Sequence, residues 1–128
     1  MVLLTVVIWL RMYVERSTQM RALRIHPQKV ASASQMSSAL PDTRAADNFR
    51  NLFEVPVLFY ALALFLFVTN RVDALYLAAA WVFVAFRAAH SLVHCTFNHV
   101  LLRFSLYLVA AVAVWFMLVR AALDYFAA

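Results

Sequence analysis

Residues Val100–Leu123 read VLLRFSLYLVAAVAVWFMLVRAAL. A helix needs about 20 predominantly apolar residues to cross the hydrocarbon core of a bilayer, and this is the one segment that reaches the length unaided. Three other apolar segments fall short. The first is Met1–Leu10 (MVLLTVVIWL), continued by Met12, Tyr13 and Val14 past Arg11; the second is Val55–Val68 and the third Ala74–Phe86. The second reaches a span only by starting among Thr43–Arg50, and the third only by running on through Arg87, His90 and His94. Polar residues at membrane depth are costly and face a bundle interior or a wet cavity. The first has no breaker before Pro27 and predicts one helix from about Met1 to Arg24, roughly 36 Å long. A cleaved signal peptide has a similar apolar length but carries a charged n-region, which is missing here. The expectation is an all-α, integral membrane four-helix transmembrane bundle. It forms a single domain over residues 1–128, with helices at about 1–24, 43–69, 72–95 and 100–124.

Composition agrees with that reading. The chain has 128 residues, 66% of them hydrophobic and 13% charged, where soluble domains are about half apolar and about a quarter charged. That length suits one domain. There is no glycine, which excludes P-loops, dinucleotide fingerprints and other glycine-built phosphate cradles. The lone Cys95 excludes an intrachain disulfide and a cysteine-based zinc site. A net charge of +5 in so apolar a chain points to anionic lipid and an internal anion site. Nucleic acid is not expected, because the basic residues never form the solvated patch that binds phosphate backbones.

Seven of the eleven Lys/Arg residues fall between Arg11 and Arg50, whereas the connection Asn70-Arg71-Val72-Asp73 is nearly neutral. By the positive-inside rule the 1–2 loop, His26–Leu40, is cytoplasmic. So is the short 3–4 turn, His94–His99, and both termini lie outside, in a bacterial inner membrane or its equivalent. With no glycine, close helix approach rests on alanines such as Ala78-Ala79-Ala80 and Ala110-Ala111.

The polar residues inside this apolar shell are few. On the second helix Arg44, Asn48, Asn51 and Glu54 share a stripe, with Asp47 and Arg50 on its flanks and Arg50 four residues from Glu54. Pro56 predicts a bend near Glu54. A self-neutralising ion-pair set is one reading of this stripe, but a carboxylate at that depth calls for a partner. On the third helix Arg87, His90 and His94 share a face. On the fourth, Arg103 cannot lose its charge, so it either snorkels or meets an anion. The two histidines lack the co-ligands of a metal site, and no metal is expected. Ser91 reads as ordinary helix packing and Cys95 as a small buried hydrophobe. Arg11, Arg44, Arg50, Asn51, Arg87, His90, His94 and Arg103 thus surround Glu54 as the main carboxylate. Such a set suits a polyanionic ligand that also carries an amine. Glutathione, with two carboxylates, one ammonium and one thiol, fits.

The motifs Arg44-Ala-Ala-Asp-Asn-Phe-Arg50-Asn51-Leu-Phe-Glu54-Val-Pro56, Arg87-Ala-Ala-His90-Ser-Leu-Val-His94 and Arg103-Phe-Ser105-Leu-Tyr107 resemble the membrane-associated proteins in eicosanoid and glutathione metabolism. The resemblance spans essentially the whole chain and is nearest in pattern to the microsomal prostaglandin E synthase branch. It implies a homotrimer with sites between subunits, open to the cytoplasmic side. It also implies glutathione as cofactor, held at Arg44, Arg50, Asn51, Glu54, Arg87, His90, His94 and Tyr107, with Arg103 as the catalytic residue that stabilises the thiolate. The implied activity is that of a glutathione-dependent membrane transferase or peroxidase acting on lipophilic electrophiles or hydroperoxides. Two positions depart from the pattern. His94 stands where relatives have a tyrosine that contacts the tripeptide, and Phe104 replaces a serine beside the arginine. Ser105 points about 100° away from it on a helix. Two other functions fit a small polar-cored bundle: a proton-coupled exporter built on Glu54, and a non-catalytic scaffold whose polar ring organises the assembly.

Overall fold

A computed structural model describes residues 1–126. Its helices are α1 (Val2–Ala22), α2 (Ala33–Ala39), α3 (Arg44–Asn51), α4 (Val55–Val68), α5 (Ala74–Cys95) and α6 (Val100–Phe126), with a 3₁₀ turn at Pro27–Val30 before α2. Among the described residues no strand occurs.

The first helix ends slightly before the expected Arg24. Arg24 takes a left-handed conformation (φ 51°), Ile25 N–H bonds to the Met20 carbonyl at 3.0 Å and Arg24 N–H to that of Arg21 at 3.2 Å. This is a Schellman stop. The segment expected as plain loop holds a short helix. Ser32 Oγ accepts from Gln35 N at 3.2 Å while Gln35 Oε1 accepts from Ser32 N at 3.0 Å, a reciprocal capping box.

The second expected helix divides in two. α3 stops at Asn51, Glu54 sits at φ −98° and ψ −109° as the N-cap of α4, and Pro56 occupies its first turn. Proline has no N–H, and its ring collides with the carbonyl four residues back. A first-turn position removes both conflicts at the expense of the helix before it. The expected bend is therefore a break, and Glu54 leaves the stripe shared by Arg44, Asn48 and Asn51. Together the two pieces form a 25-residue apolar stretch, Arg44–Val68.

That stretch, α5 and α6 are long and apolar enough to cross a membrane. The 21 residues of α1 would span about 31 Å, but Arg11, Glu15 and Arg16 interrupt its apolar run. α5 and α6 form the closest helix pair, α4 packs beside α6, and α3 bridges α1 and α5. The core joins Phe59, Leu62 and Leu66 of α4 to Tyr76 and Phe83 of α5 and to Ala110, Val114 and Met117 of α6. The Phe59 and Phe83 rings stack at 4.4 Å. Ala110 is buried at this seam, as expected, and Ala111 is buried too, whereas Ala79 and Ala80 only edge the seam and Ala78 is exposed. Large apolar side chains such as Leu64, Phe67, Trp81 and Trp115 face outward, the reverse of a water-soluble surface.

The two ends of the bundle differ. At one end, Arg11 Nη2 bonds to the Cys95 carbonyl and Arg44 Nη1 to the Thr96 carbonyl, so α1 and α3 tie to the C-terminus of α5. Favourable charge meets the negative end of that helix. At the other end, Arg120 pairs with Asp73 at 2.5 Å and lies 4.2 Å from the Tyr76 ring centroid. Tyr76 Oη donates to Asp124 at 2.8 Å, and Arg71 Nη1 donates to the Asp124 carbonyl at 2.7 Å.

Candidate functional site

The third-helix face holds together as expected. Arg87, His90 and His94 lie on α5 at 0%, 3% and 3% exposure. From α6 come Arg103 and Tyr107, both half-buried. Arg87 Nη2 donates to the Asn51 backbone carbonyl at 2.9 Å, and its guanidinium carbon stands 5.8 Å from the Tyr107 ring centroid. That is within the reach of a cation–π contact. The His90 ring lies 6.0 Å from that of Tyr107 and 5.7 Å, edge-on, from that of His94.

His90 Nδ1 lies 2.9 Å from the Arg103 backbone carbonyl. A carbonyl can only accept, so Nδ1 carries the proton. In the neutral ring Nε2 is then an acceptor. Arg103 Nη1 in turn donates to Asn98 Oδ1 at 2.7 Å. Asn98 takes the left-handed conformation (φ 48°) that turns α5 into α6, and asparagine tolerates it better than most residues. One residue therefore both closes the turn and aims the arginine.

Five buried polar atoms lack a partner among the described residues: Arg87 Nε and Nη1, His90 Nε2, His94 Nδ1 and Tyr60 Oη. Four of the five belong to the α5 face. Among the described residues no carboxylate lies within 4 Å of Arg87. A buried guanidinium with open donors and no counter-ion is costly, and an anion with several acceptor oxygens relieves that cost. The open donors and the acceptor at His90 Nε2 match the carboxylates and amide groups of a peptide-like anion.

Among the described residues, none of the other expected ligands on α3 and at its end bonds to this face through its side chain. Arg44 bonds Asp42 at 2.5 Å as well as the Thr96 carbonyl. Its guanidinium holds the Asp42 carboxyl down to about 2. Arg50 is exposed and lies 3.6 Å from Asp47 rather than against Glu54. Glu54 is exposed, with no cation within 4 Å among the described residues. Asn51 joins the α5 face through its backbone carbonyl, while its side chain donates to the Asp47 carbonyl at 3.4 Å.

Asn48 was expected on the polar stripe of the second helix but not among the ligands, and neither Asn98 nor Tyr60 was expected at all. Asn48, wholly buried, donates to Cys95 Sγ at 3.4 Å and accepts from Ser91 Oγ at 3.3 Å, so it joins α3 to α5 below the site. Its neighbours are as expected: Cys95 and Ser91 are buried packing groups. Asn98 was passed over, although an asparagine in a four-residue turn without glycine is itself a signal for a left-handed position. Nothing in the local pattern marks Tyr60.

No curated protein and no solved structure matches the chain. A comparison with protein families matches residues 1–123 to the MAPEG family. With all but the last five residues inside that match, a membrane-capable helix set and a polar face buried in the bundle, the chain belongs to the MAPEG family.

Proposed function

We propose that this protein is a glutathione-dependent membrane transferase or peroxidase that holds the glutathione thiolate against lipophilic electrophiles or hydroperoxides. The family is a membrane family that includes glutathione transferases and peroxidases. The observation that carries the reading is Arg87. It is fully buried, bonded to protein through a single nitrogen, and flanked by two histidines with open ring nitrogens.

In this reading Arg87 and His90 bind the tripeptide, His94 adds a hydrogen-bonding group, and Tyr107 covers the guanidinium. Glutathione supplies a sulfur nucleophile. Arg103, aimed by Asn98, favours the ionised form of a thiol whose ordinary pKa is about 8.5. Preorganised positive charge of this kind is commonly the largest single contribution to such catalysis. No metal has a role.

Arg50 and Glu54, exposed in the single chain, serve a site completed by a neighbouring copy. We take the assembly to be a homotrimer with α1 as a fourth span, the loop end cytoplasmic and both termini outside. Arg44 contributes by holding α3 on α5. The lipophilic second substrate enters from the bilayer. Equilibrium binding of glutathione to the purified protein in detergent tests the proposal. Saturable binding that is lost in Arg87→Met supports it, and absence of binding to the wild-type protein rejects it.

A further inference from the structure

Ten arginines occur in the chain, and seven of them hold a protein oxygen. Arg11, Arg44, Arg50 and Arg120 have carboxylate partners. Arg71, Arg87 and Arg103 bond to Asp124 O, Asn51 O and Asn98 Oδ1. The three others are Arg16, Arg21 and Arg24. Among the described residues their side chains reach no oxygen, and Arg16 makes only a 3.8 Å contact to the Met12 sulfur.

These three line one groove. It lies where the last turns of α1 meet the segment leading to α2, has a volume of about 570 Å³, and contains no acidic residue. Its apolar wall comes from Tyr13, Met20, Ile25 and Met36. Drug-sized ligand sites run from roughly 300 to 1,000 Å³, so the space suits a molecule with a body and not a lone ion. The backbone adds a second observation. Asn70 and Asn98 take two of the three left-handed positions among the described residues, but Arg24 takes the one at this groove. Arginine is a poor choice there compared with glycine or asparagine, so the position keeps a cation at some conformational cost.

Three unpartnered guanidinium groups over an apolar wall, at the edge of a membrane bundle, are complementary to one kind of molecule. We propose that this groove binds an anionic phospholipid, with the arginines on the phosphate headgroup and the apolar wall against the upper acyl chain. The site is separate from the α5–α6 face and does not depend on the function proposed for it.

Lipid retention tests the assignment. The purified protein in detergent is mixed with dioleoylphosphatidylglycerol or dioleoylphosphatidylcholine, and bound lipid is read by native mass spectrometry. The groove predicts preferential retention of the glycerol lipid, undiminished by millimolar inorganic phosphate. One arginine near an anionic lipid is worth roughly a fivefold gain in binding. Arg21→Gln should therefore lower retention about fivefold, and Arg16→Gln/Arg21→Gln/Arg24→Gln together about a hundredfold. The matching triple Arg→Lys variant should keep most of it, which separates loss of charge from loss of fold. Lys29→Gln removes one positive charge from the same segment but does not line the groove, and it should leave retention unchanged. Equal loss in Lys29→Gln and Arg21→Gln would mean diffuse surface attraction and overturn the proposal. Full retention in the triple Gln variant, equal retention of both lipids, or displacement by phosphate would overturn it as well.

Discussion

Arg87 offers five N–H donors, and the protein accepts from only one of its nitrogens, Nη2. Replacing a buried, poorly paired charge by an apolar side chain of similar length is commonly neutral or stabilising by about 1–4 kcal/mol. Arg87→Met should therefore leave the melting temperature in detergent unchanged or raised while abolishing glutathione binding. A large loss of stability with binding intact would show the guanidinium to be structural. Glu54 presents the opposite case, since it is exposed and unpaired within one chain. Glu54→Gln should spare the fold and weaken glutathione binding about ten- to a hundredfold, the scale of one hydrogen bond to a charged group. Equilibrium binding reads that directly. Arg87, His90 and His94 were legible from spacing alone, because i, i+3 and i+7 on a long uninterrupted helix leave little freedom. The expected contact between Arg50 and Glu54 is absent for a local reason: their four-residue spacing implied it only while the helix continued between them.

At the scale of elements, continuity was the hardest property to read. Pro56 was visible, but whether it bends or breaks a helix depends on where the chain restarts, and that is settled by packing of Val55 and Phe59 into the core. The reciprocal Ser32–Gln35 pattern was present in the sequence and hidden in a polar stretch that reads as loop. Its contribution can be isolated. α2 has no buried residue, so its own cap matters more than tertiary packing. Ser32→Ala should cost about 1 kcal/mol locally, seen as roughly fivefold faster hydrogen exchange at the Gln35 amide, with bundle melting unchanged. Cooperative loss of the whole bundle would contradict this independence.

Across the whole molecule, the all-α bundle and its apolar surface followed from composition and segment length. The clasp at the far end did not, because it joins residues 47 to 53 positions apart and sequence spacing says nothing about such pairs. Bonding first from Arg120, then from the Tyr76 N–H, holds the Asp73 carboxyl down to about 2 from 3.8. A carboxyl lowered in the folded state contributes stability above its unfolded pKa and loses it as pH falls through the folded one. Between pH 3.8 and about 2 the wild-type protein should lose stability that Asp73→Asn, already lacking the clasp, does not lose. Parallel acid-unfolding curves for the two proteins would deny Asp73 that part. The same bundle places one arginine, Arg103, on the edge of the polar face, and the proposed catalysis depends on what that charge does to a bound thiol. Proton release on mixing glutathione with the protein in weak buffer near pH 7 measures it. The wild-type protein should bind and release a proton per occupied site, and Arg103→Ala should bind with little release; equal release from both, or none from the wild type on binding, would contradict the mechanism.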